Sequence, residues 1–306
     1  MTTASDVASG KTHTDENFPV ASRLIAARHR PAVMAFYNFV RAADDVADHA
    51  TLTRDEKLEH LDRLEDSLLG RSDREPVAAP LREALAEHKM SPRHPLDLLA
   101  AFRLDVTKNR TADWADLIHY CSLSAMPVGR YVLDVHGESE ATWPASDAVC
   151  AALQIINHLQ DCGKDYRDLD RVYVPADALD RAGLTVEALG APRATPALRQ
   201  VFRDLALRTA TLLDEGKVLP SLVTEFRLSL ETAVIIALAR HLTATLADHD
   251  PLSERVHHNK VEYLRIAGTG AAGAALNRLV RRRSAAASAG TPPTAAGTSS
   301  ATVRKA

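Results

Sequence analysis

Two acidic clusters are the residues of this chain best suited to do chemistry, and they span residues 44–48 and 161–165. Each lies in a segment with strong helical periodicity, and each begins and ends with aspartate, so a four-residue step puts the two acids on one helix face. Mg²⁺ prefers oxygen ligands and commonly shares one or two carboxylates with substrate phosphates. The spacing predicts a site for magnesium and a diphosphate. The candidate metal ligands are Asp44, Asp45, Asp48, Asp161 and Asp165.

Further polar residues precede each cluster at helical spacing. Tyr37 and Arg41 precede the first cluster, and Gln154 and Asn157 precede the second. Each helix therefore carries a row of polar side chains between apolar flanks. A buried charge without a partner is strongly unfavourable, and it either finds one or becomes neutral. Metal ions and a diphosphate would supply the missing partners.

The ordinary alternative is a solvated helix face. Acidic pairs four residues apart are common on protein surfaces, and one such motif alone is more often surface than site. This chain has two such motifs, and each has an amide or an arginine about one turn upstream. Together they favour one shared site.

Longer stretches around the clusters form a series of motifs along the chain, namely residues 37–48, 120–130 and 154–161, Asp165 and residues 171–175. In this order they resemble the motifs of the squalene and phytoene synthase family of head-to-head prenyl synthases, and the resemblance runs from about Asn17 to about Gly270. It implies an all-α, single-domain helical bundle of the isoprenoid synthase type around a central cavity. It also implies Mg²⁺ as the cofactor and a prenyl diphosphate as the substrate.

The resemblance and the polar rows together suggest roles for the other candidate residues. Arg41 and Arg171 would donate to the diphosphate oxygens. Tyr37 and Tyr120 would offer hydroxyl groups and aromatic faces to a carbocation. Three amides would position magnesium-bound waters, the diphosphate or a capturing water, and which amide does which stays open. These amides are Gln154, Asn157 and Gln160.

The chain departs from the usual family pattern at three places, which are residues 16–22, residues 124–130 (Ser-Ala-Met-Pro-Val-Gly-Arg) and Gln160, where most members carry arginine. All three departures resemble the branch of bacterial hydroxysqualene synthases of the HpnC type. A neutral amide at this last position would replace a cation expected beside the diphosphate. The resemblance implies a lyase of squalene and hopanoid biosynthesis that converts presqualene diphosphate to hydroxysqualene. Partner enzymes would make presqualene diphosphate and reduce hydroxysqualene.

Two other functions stay open at this point. One is a full synthase that condenses farnesyl or geranylgeranyl diphosphate head to head to presqualene diphosphate, dehydrosqualene or phytoene. The other is a noncatalytic homologue that binds a prenyl lipid or stabilises a partner synthase. The intact acids of both motifs argue against the noncatalytic function.

Composition restricts the class of protein. The 306 residues are 46% hydrophobic and 25% charged, enough to fill one large helical core. A net charge of -3 argues against a nucleic-acid partner. The three cysteines form no CxxC pair, which favours the reducing cytosol. We expect no signal peptide and read residues 230–247 as a core helix, although a lipidic substrate would allow loose association with the inner face of the membrane.

Periodicity predicts helices and no strand. We expect residues 1–16 and 284–306 to be disordered and residues 17–283 to form the domain. Residues 268–273 match the GxGxxG pattern of dinucleotide-binding folds, but they follow a helical stretch, so close helix packing is expected there. The predicted helices span residues 18–48, 53–69, 77–89, 94–109, 113–137, 146–166, 194–217, 220–248 and 258–282.

Overall fold

The computed structural model describes residues 3–4 and 25–289, with the side chains of Asn277 and residues 280–289 excepted. Within these ranges the chain is all-α, and the only β-type pairing is an isolated bridge between Arg110 and Val172. The predicted fold class is confirmed. The helices are α1 Arg30–Ala47, α2 Arg54–Leu68, α3 Ala78–Glu87, α4 Arg93–Thr107, α5 Trp114–Ser124, α6 Met126–Val135, α7 Trp143–Leu169, α8 Ala176–Arg181, α9 Pro196–Gly216, α10 Leu219–Leu222, α11 Phe226–Asp248 and α12 Lys260–Ala289.

Local sequence signals explain where several helices begin. Thr53 and Glu56 form a reciprocal capping box at the start of α2, and the Thr195 side chain caps α9. Helices α1, α6, α7, α9 and α10 have proline at their first or second position, where no helical amide is lost. The long helix α7 ends at Asp170, whose φ of 49° is left-handed.

Three predicted helices differ from the structure at their ends or in their middle. Residues 25–29 precede α1 as turns, and residues 18–24 lie outside the described part. The segment predicted as 113–137 is two helices, because the backbone bends at Ala125 before Pro127. The segment predicted as 220–248 is also two helices, since residues 223–225 are not helical. The short helix α8 was not predicted.

The structure describes few residues of the two terminal segments that the sequence predicts to be disordered, so their disorder stays a prediction. Helix α12 continues to Ala289, past the expected boundary at residue 283. Near the other end, the Ala4 amide donates to Glu75 Oε2 at 2.8 Å. The other residues of both segments lie outside the described ranges.

Helix α7 is central to the bundle. It packs on α5, α6, α9 and α11, while α1 packs on α3 and α4 in a second apolar cluster. A cavity of about 500 Å³ lies between these clusters, lined by α1, α4, α5, α6, α7, α10 and α11. Helix α6, which forms part of the cavity wall, lies very close to α7 at Gly129. A Cβ atom added to this glycine would come within 2.5 Å of Cys150 Sγ and of Ser146 Oγ.

The remaining apolar helices are packing elements. Among the described helices, α11 alone is long and apolar enough to cross a membrane, but it packs on α7, α9 and α12, as expected of a core helix. Gly270 of the GxGxxG sequence lies within α12, where an added Cβ would be 3.1 Å from Ala237 Cβ on α11. The prediction of close helix packing is confirmed at this glycine, whereas Gly268 and Gly273 have no such neighbour.

Candidate active site

Both acidic motifs lie toward the C-terminal ends of their helices. Asp44 and Asp45 lie in the last turn of α1 and Asp48 is its C-cap, with no basic residue in that turn. Acidic groups are disfavoured there, because the carbonyl end of a helix is itself partly negative. Such a violation of local electrostatics is typical of functional sites.

Arg171 joins the two motifs. It follows the end of α7, is 8% exposed, and its Nη1 donates to Asp48 Oδ1 at 2.9 Å. The charge of Asp48 also helps to raise the pKa of Asp44 on α1 and of Asp165 on α7. The structure therefore brings both predicted motifs to one place.

Two of these carboxyls hold protons far more strongly than ordinary aspartates. Burial, followed by the charge of Asp48, raises the pKa of Asp44 to about 7 in spite of Arg41. Burial, followed by the charge of Asp161, raises the pKa of Asp165 to about 7 in spite of Arg171. A divalent cation would offset both the burial and the repulsion, so this donor set fits a hard cation.

The carboxylates are not preassembled into a complete metal cage. Across residues 3–4 and 25–289, no three His, Cys, Asp or Glu side chains converge closely enough to hold a metal ion. Arg171 already occupies one oxygen of Asp48. This arrangement suits a metal that arrives with its substrate, since Mg²⁺ takes part of its coordination from phosphate oxygens and water.

Arg41 lies between the neighbouring acids of the first motif. Its Nη1 is 3.0 Å from Asp44 Oδ2, and its Nη2 donates to Asp45 Oδ1 at 2.7 Å. The Asp45 side chain is only 5% exposed, while that of Asp44 is 35% exposed and lines the cavity. Asp44 is therefore the accessible acid of this pair, and Asp45 holds the guanidinium in place.

Asp105 is a buried acid of this region that lies outside both predicted motifs. This buried carboxylate accepts hydrogen bonds from the hydroxyls of Tyr120 and Tyr173, each at 2.7 Å, and Arg171 Nε lies 3.7 Å away. Burial raises the pKa of Asp105 in spite of the Arg171 charge and these two hydrogen bonds. Burial also raises the pKa of both tyrosines well above the usual range, so they remain protonated donors.

His158 is a residue of this cluster that sequence reasoning missed. Its ring stacks on Tyr173 with centroids 3.5 Å apart, and its Nε2 lies 3.2 Å from Gln154 Nε2. Burial, reinforced by the Arg171 charge, lowers the pKa of His158 to about 3. The imidazole is therefore neutral at physiological pH. The only sequence signal for it was its position four residues after Gln154.

The three predicted amide side chains lie in different surroundings. Gln154 lines the cavity, and Asn157 is half-buried one turn before Asp161 on α7. Gln160 is not among the lining residues, and its Nε2 donates to the Val256 carbonyl just before α12. Gln160, at the position where most family members carry arginine, therefore binds a backbone carbonyl group of a loop.

The cavity changes from polar to apolar along its length. Five of the predicted residues line its polar end, and most of the remaining wall is aliphatic or aromatic. A diphosphate could bind at the acidic end while a long hydrocarbon extends between the helices. The predicted residues at the polar end are Tyr37, Arg41, Asp44, Tyr120 and Gln154, and the apolar wall includes Val33, Phe36, Leu98, Phe102, Val132, Leu133, Val149, Leu153, Leu228 and Ile235.

Comparison with known proteins shows the family to which the chain belongs. The model of squalene/phytoene synthase matches residues 11–262. The chain belongs to the squalene/phytoene synthase family. Hydroxysqualene synthase of Rhodopseudomonas palustris is 59% identical to it over 271 residues, which are 89% of this chain and 92% of that protein. Hydroxysqualene synthase of Zymomonas mobilis is 50% identical over 272 residues, covering 88% of this chain and 92% of the relative.

A solved structure agrees with the family assignment. The crystal structure of squalene synthase HpnC from Alicyclobacillus acidocaldarius superposes on this chain with a TM-score of 0.67, and the two sequences are 32% identical. The match covers 77% of this chain and 89% of that one. The predicted resemblance to this family, and to its hydroxysqualene synthase branch, is confirmed.

Proposed function

We propose that this enzyme converts presqualene diphosphate to hydroxysqualene, with release of diphosphate and capture of a rearranged carbocation by water. One observation carries the proposal: Arg41 and Asp44 line the polar end of a cavity whose remaining wall is mostly apolar, and Arg171 binds Asp48 of the same acidic motif. The relatives named hydroxysqualene synthase, at 50 and 59% identity, support this product. The pathway would be squalene and hopanoid biosynthesis, with other enzymes supplying presqualene diphosphate and reducing the product.

Binding of the diphosphate is the first task of the polar residues. We propose that Asp44, Asp48, Asp161 and Asp165 hold Mg²⁺, with Asp45 acting through Arg41. Bound Mg²⁺ would neutralise the diphosphate and the charge that develops on it as the carbon–oxygen bond breaks. Arg41 and Arg171 would donate to the same oxygens, because their guanidinium groups are already fixed by carboxylates.

Loss of diphosphate leaves a cyclopropylcarbinyl cation that must rearrange before it meets water. The apolar wall keeps bulk water away, and the aromatic faces of Tyr37 and Tyr120 would stabilise positive charge near the polar end. His158 is neutral and adds no repelling cation. Asp105 fixes the Tyr120 hydroxyl, so the ring keeps one orientation throughout.

The test of this function uses two substrates. Purified protein with Mg²⁺ and without NADPH should convert presqualene diphosphate to hydroxysqualene and leave farnesyl diphosphate unchanged, as measured by mass spectrometry of extracted products. Consumption of farnesyl diphosphate would instead assign the head-to-head condensation that the sequence left open. Binding of either lipid without turnover would assign the noncatalytic function.

We also propose that this enzyme is cytoplasmic and works at the inner membrane surface, and that α12 contacts the lipid. Val261, Leu264, Leu276 and Leu279 of this helix are 57 to 76% exposed. Lys260 and Arg265 share the helix, and the sequence adds arginine at positions 281–283. Exposed apolar side chains among basic residues fit an anionic lipid surface.

The lipid contact predicts sedimentation with vesicles that contain phosphatidylglycerol and weaker sedimentation with pure phosphatidylcholine. Leu264→Glu combined with Leu276→Glu should reduce the bound fraction about tenfold or more, because two exposed aliphatic side chains that would enter the lipid become charged. Leu207→Glu, on the exposed face of α9, is the control. Equal binding of all three proteins would contradict the proposal.

A further inference from the structure

A second cavity, of about 600 Å³, lies between α10, α11 and α12 and shares no lining residue with the central cavity. We call it the α12 groove. Among the described residues that line it, three are basic and none is acidic, in a chain whose net charge is -3. Positive charge concentrated in a concave site attracts anions. The three basic residues are Lys217, Arg240 and Arg278.

Arg278 of α12 is fixed at the groove by uncharged groups. Its Nη1 donates to the Val223 carbonyl at 3.5 Å and its Nη2 donates to the Thr224 carbonyl. Its guanidinium carbon lies 5.5 Å from the centre of the Phe226 ring. Within residues 3–4 and 25–289 it forms no ion pair with a carboxylate. The two hydrogen bonds use two of its five N–H donors, so the other donors and the whole charge remain for an anion.

The other two cations are only partly neutralised. Arg240 Nη2 lies 2.6 Å from Asp214 Oδ1, but both side chains are exposed, and such a pair is weak enough for an anion to share the guanidinium. The exposed side chain of Lys217 forms no hydrogen bond or ion pair with any residue of the described part. Glu138 also reaches this region, where it accepts from the Thr224 amide at 2.8 Å. The groove keeps a net positive charge even when both acids are counted.

Exposed apolar side chains adjoin the groove at Arg278. Leu222, which lines the groove, and Phe226, which contacts the guanidinium, are both exposed. Leu276 and Leu279 are also exposed, and they lie on either side of Arg278 along α12. A phospholipid presents the matching combination, because its phosphate is joined through glycerol to hydrocarbon chains. Charge and apolar surface together therefore fit a lipid headgroup better than a free anion.

We propose that the α12 groove binds the phosphate headgroup of an anionic phospholipid, an inference that rests on the proposed work of this enzyme at the membrane surface. Arg278 and Lys217 donate to the phosphate oxygens, and the acyl chains lie over Leu276 and Leu279. Helix α10 forms one wall of the groove and also contributes Leu219 to the central cavity. The bound lipid thus holds the α10 wall of the central cavity against the membrane.

The test uses a soluble lipid, so that general attraction to a membrane surface plays no part. Dihexanoyl phosphatidylglycerol, kept below the concentration at which it forms micelles, is titrated into each protein in a calorimeter. Arg278→Gln should bind it at least about tenfold more weakly than wild type, because a hydrogen bond between charged groups is lost. Arg265→Gln is the matched control, since it removes the same charge from the same helix outside the groove. It should bind within about twofold of wild type, because a distant exposed charge is screened.

A second variant guards against a change in the fold. Arg278 also holds the carbonyl groups of the segment after α10, so its replacement can disturb that segment. Lys217→Gln removes a side chain that makes no such contact, and it should weaken binding about threefold or more. If Arg278→Gln lowers the melting temperature, Lys217→Gln decides the question.

Three outcomes would contradict the proposal or its basis. Equal binding of the lipid by wild type and by the Arg278 and Lys217 variants would overturn the groove as its site. Equal affinity of wild type for inorganic phosphate would overturn the assignment to a lipid. Wild type that binds the lipid but leaves presqualene diphosphate intact would contradict the proposed reaction alone, whereas turnover without lipid binding would overturn this inference alone.

Discussion

Replacement of Asp161 by alanine is expected to lower the turnover of presqualene diphosphate by about a thousandfold, because the diphosphate would lose a metal ligand at the charge that develops as it leaves. The fold should persist. Asp161 is half-buried, and its charge is one of the causes that raise the pKa of Asp165, so its removal relieves repulsion in the metal-free protein. Diphosphate release and circular dichroism measure the two effects.

Asp168→Ala is the matched control for this prediction. Asp168 lies seven residues further along α7, where it is exposed. Its replacement should leave turnover within about twofold of wild type, as expected of a surface site. Mg²⁺ and a diphosphate analogue together should raise the melting temperature of wild type and of the control. Asp161→Ala protein with near-normal turnover would show that the second acidic motif does not hold the metal.

Arg171→Met is expected to affect both turnover and stability, because Arg171 supports both motifs. Turnover should fall about a hundredfold or more through loss of a donor to the leaving group. The free energy of unfolding should fall by about 3 to 5 kcal/mol near neutral pH, since Asp105 would remain buried without its cation. Urea unfolding and diphosphate release measure these changes.

The stability loss in Arg171→Met should depend on pH with a definite sign. Burial already raises the pKa of Asp105 in the folded protein, and removal of the arginine raises it further. A carboxyl with a raised folded pKa stabilises the fold while it is protonated, and this contribution is lost as the pH rises through that pKa. The deficit relative to wild type should therefore be larger at pH 8.5 than at pH 6.

Arg110→Met is the control, because Arg110 forms an exposed pair with Asp170 close to the same loop. Its replacement should change the free energy of unfolding by less than about 1 kcal/mol. Arg171→Met protein with wild-type stability at both pH values would contradict the placement of Arg171 between Asp48 and Asp105.

The acidic motifs were predictable from the sequence because helical periodicity fixes which residues share a face. Two residues four apart on α1, and two on α7, needed only that rule and the preference of Mg²⁺ for carboxylates. The apolar flanks likewise predicted that both helices are buried. The two motifs alone therefore predicted which acidic residues share a helix face.

The tertiary partners were not predictable in the same way. Asp105 joins Tyr120 and Tyr173 across 15 and 68 residues of chain, and no local pattern records such distances. At position 160 most family members carry arginine and this chain carries glutamine. The hydrogen bond from Gln160 to the Val256 carbonyl depends on how a distant loop packs, which the sequence does not record. The break at Ala125, by contrast, has a local signal in Pro127 at the second position of α6.

Incubation of the purified protein with Mg²⁺ and presqualene diphosphate, and separately with farnesyl diphosphate, tests the account most directly. Without NADPH, mass spectrometry should find hydroxysqualene from presqualene diphosphate, with farnesyl diphosphate unchanged. Consumption of farnesyl diphosphate, or failure to release diphosphate from presqualene diphosphate, would contradict it.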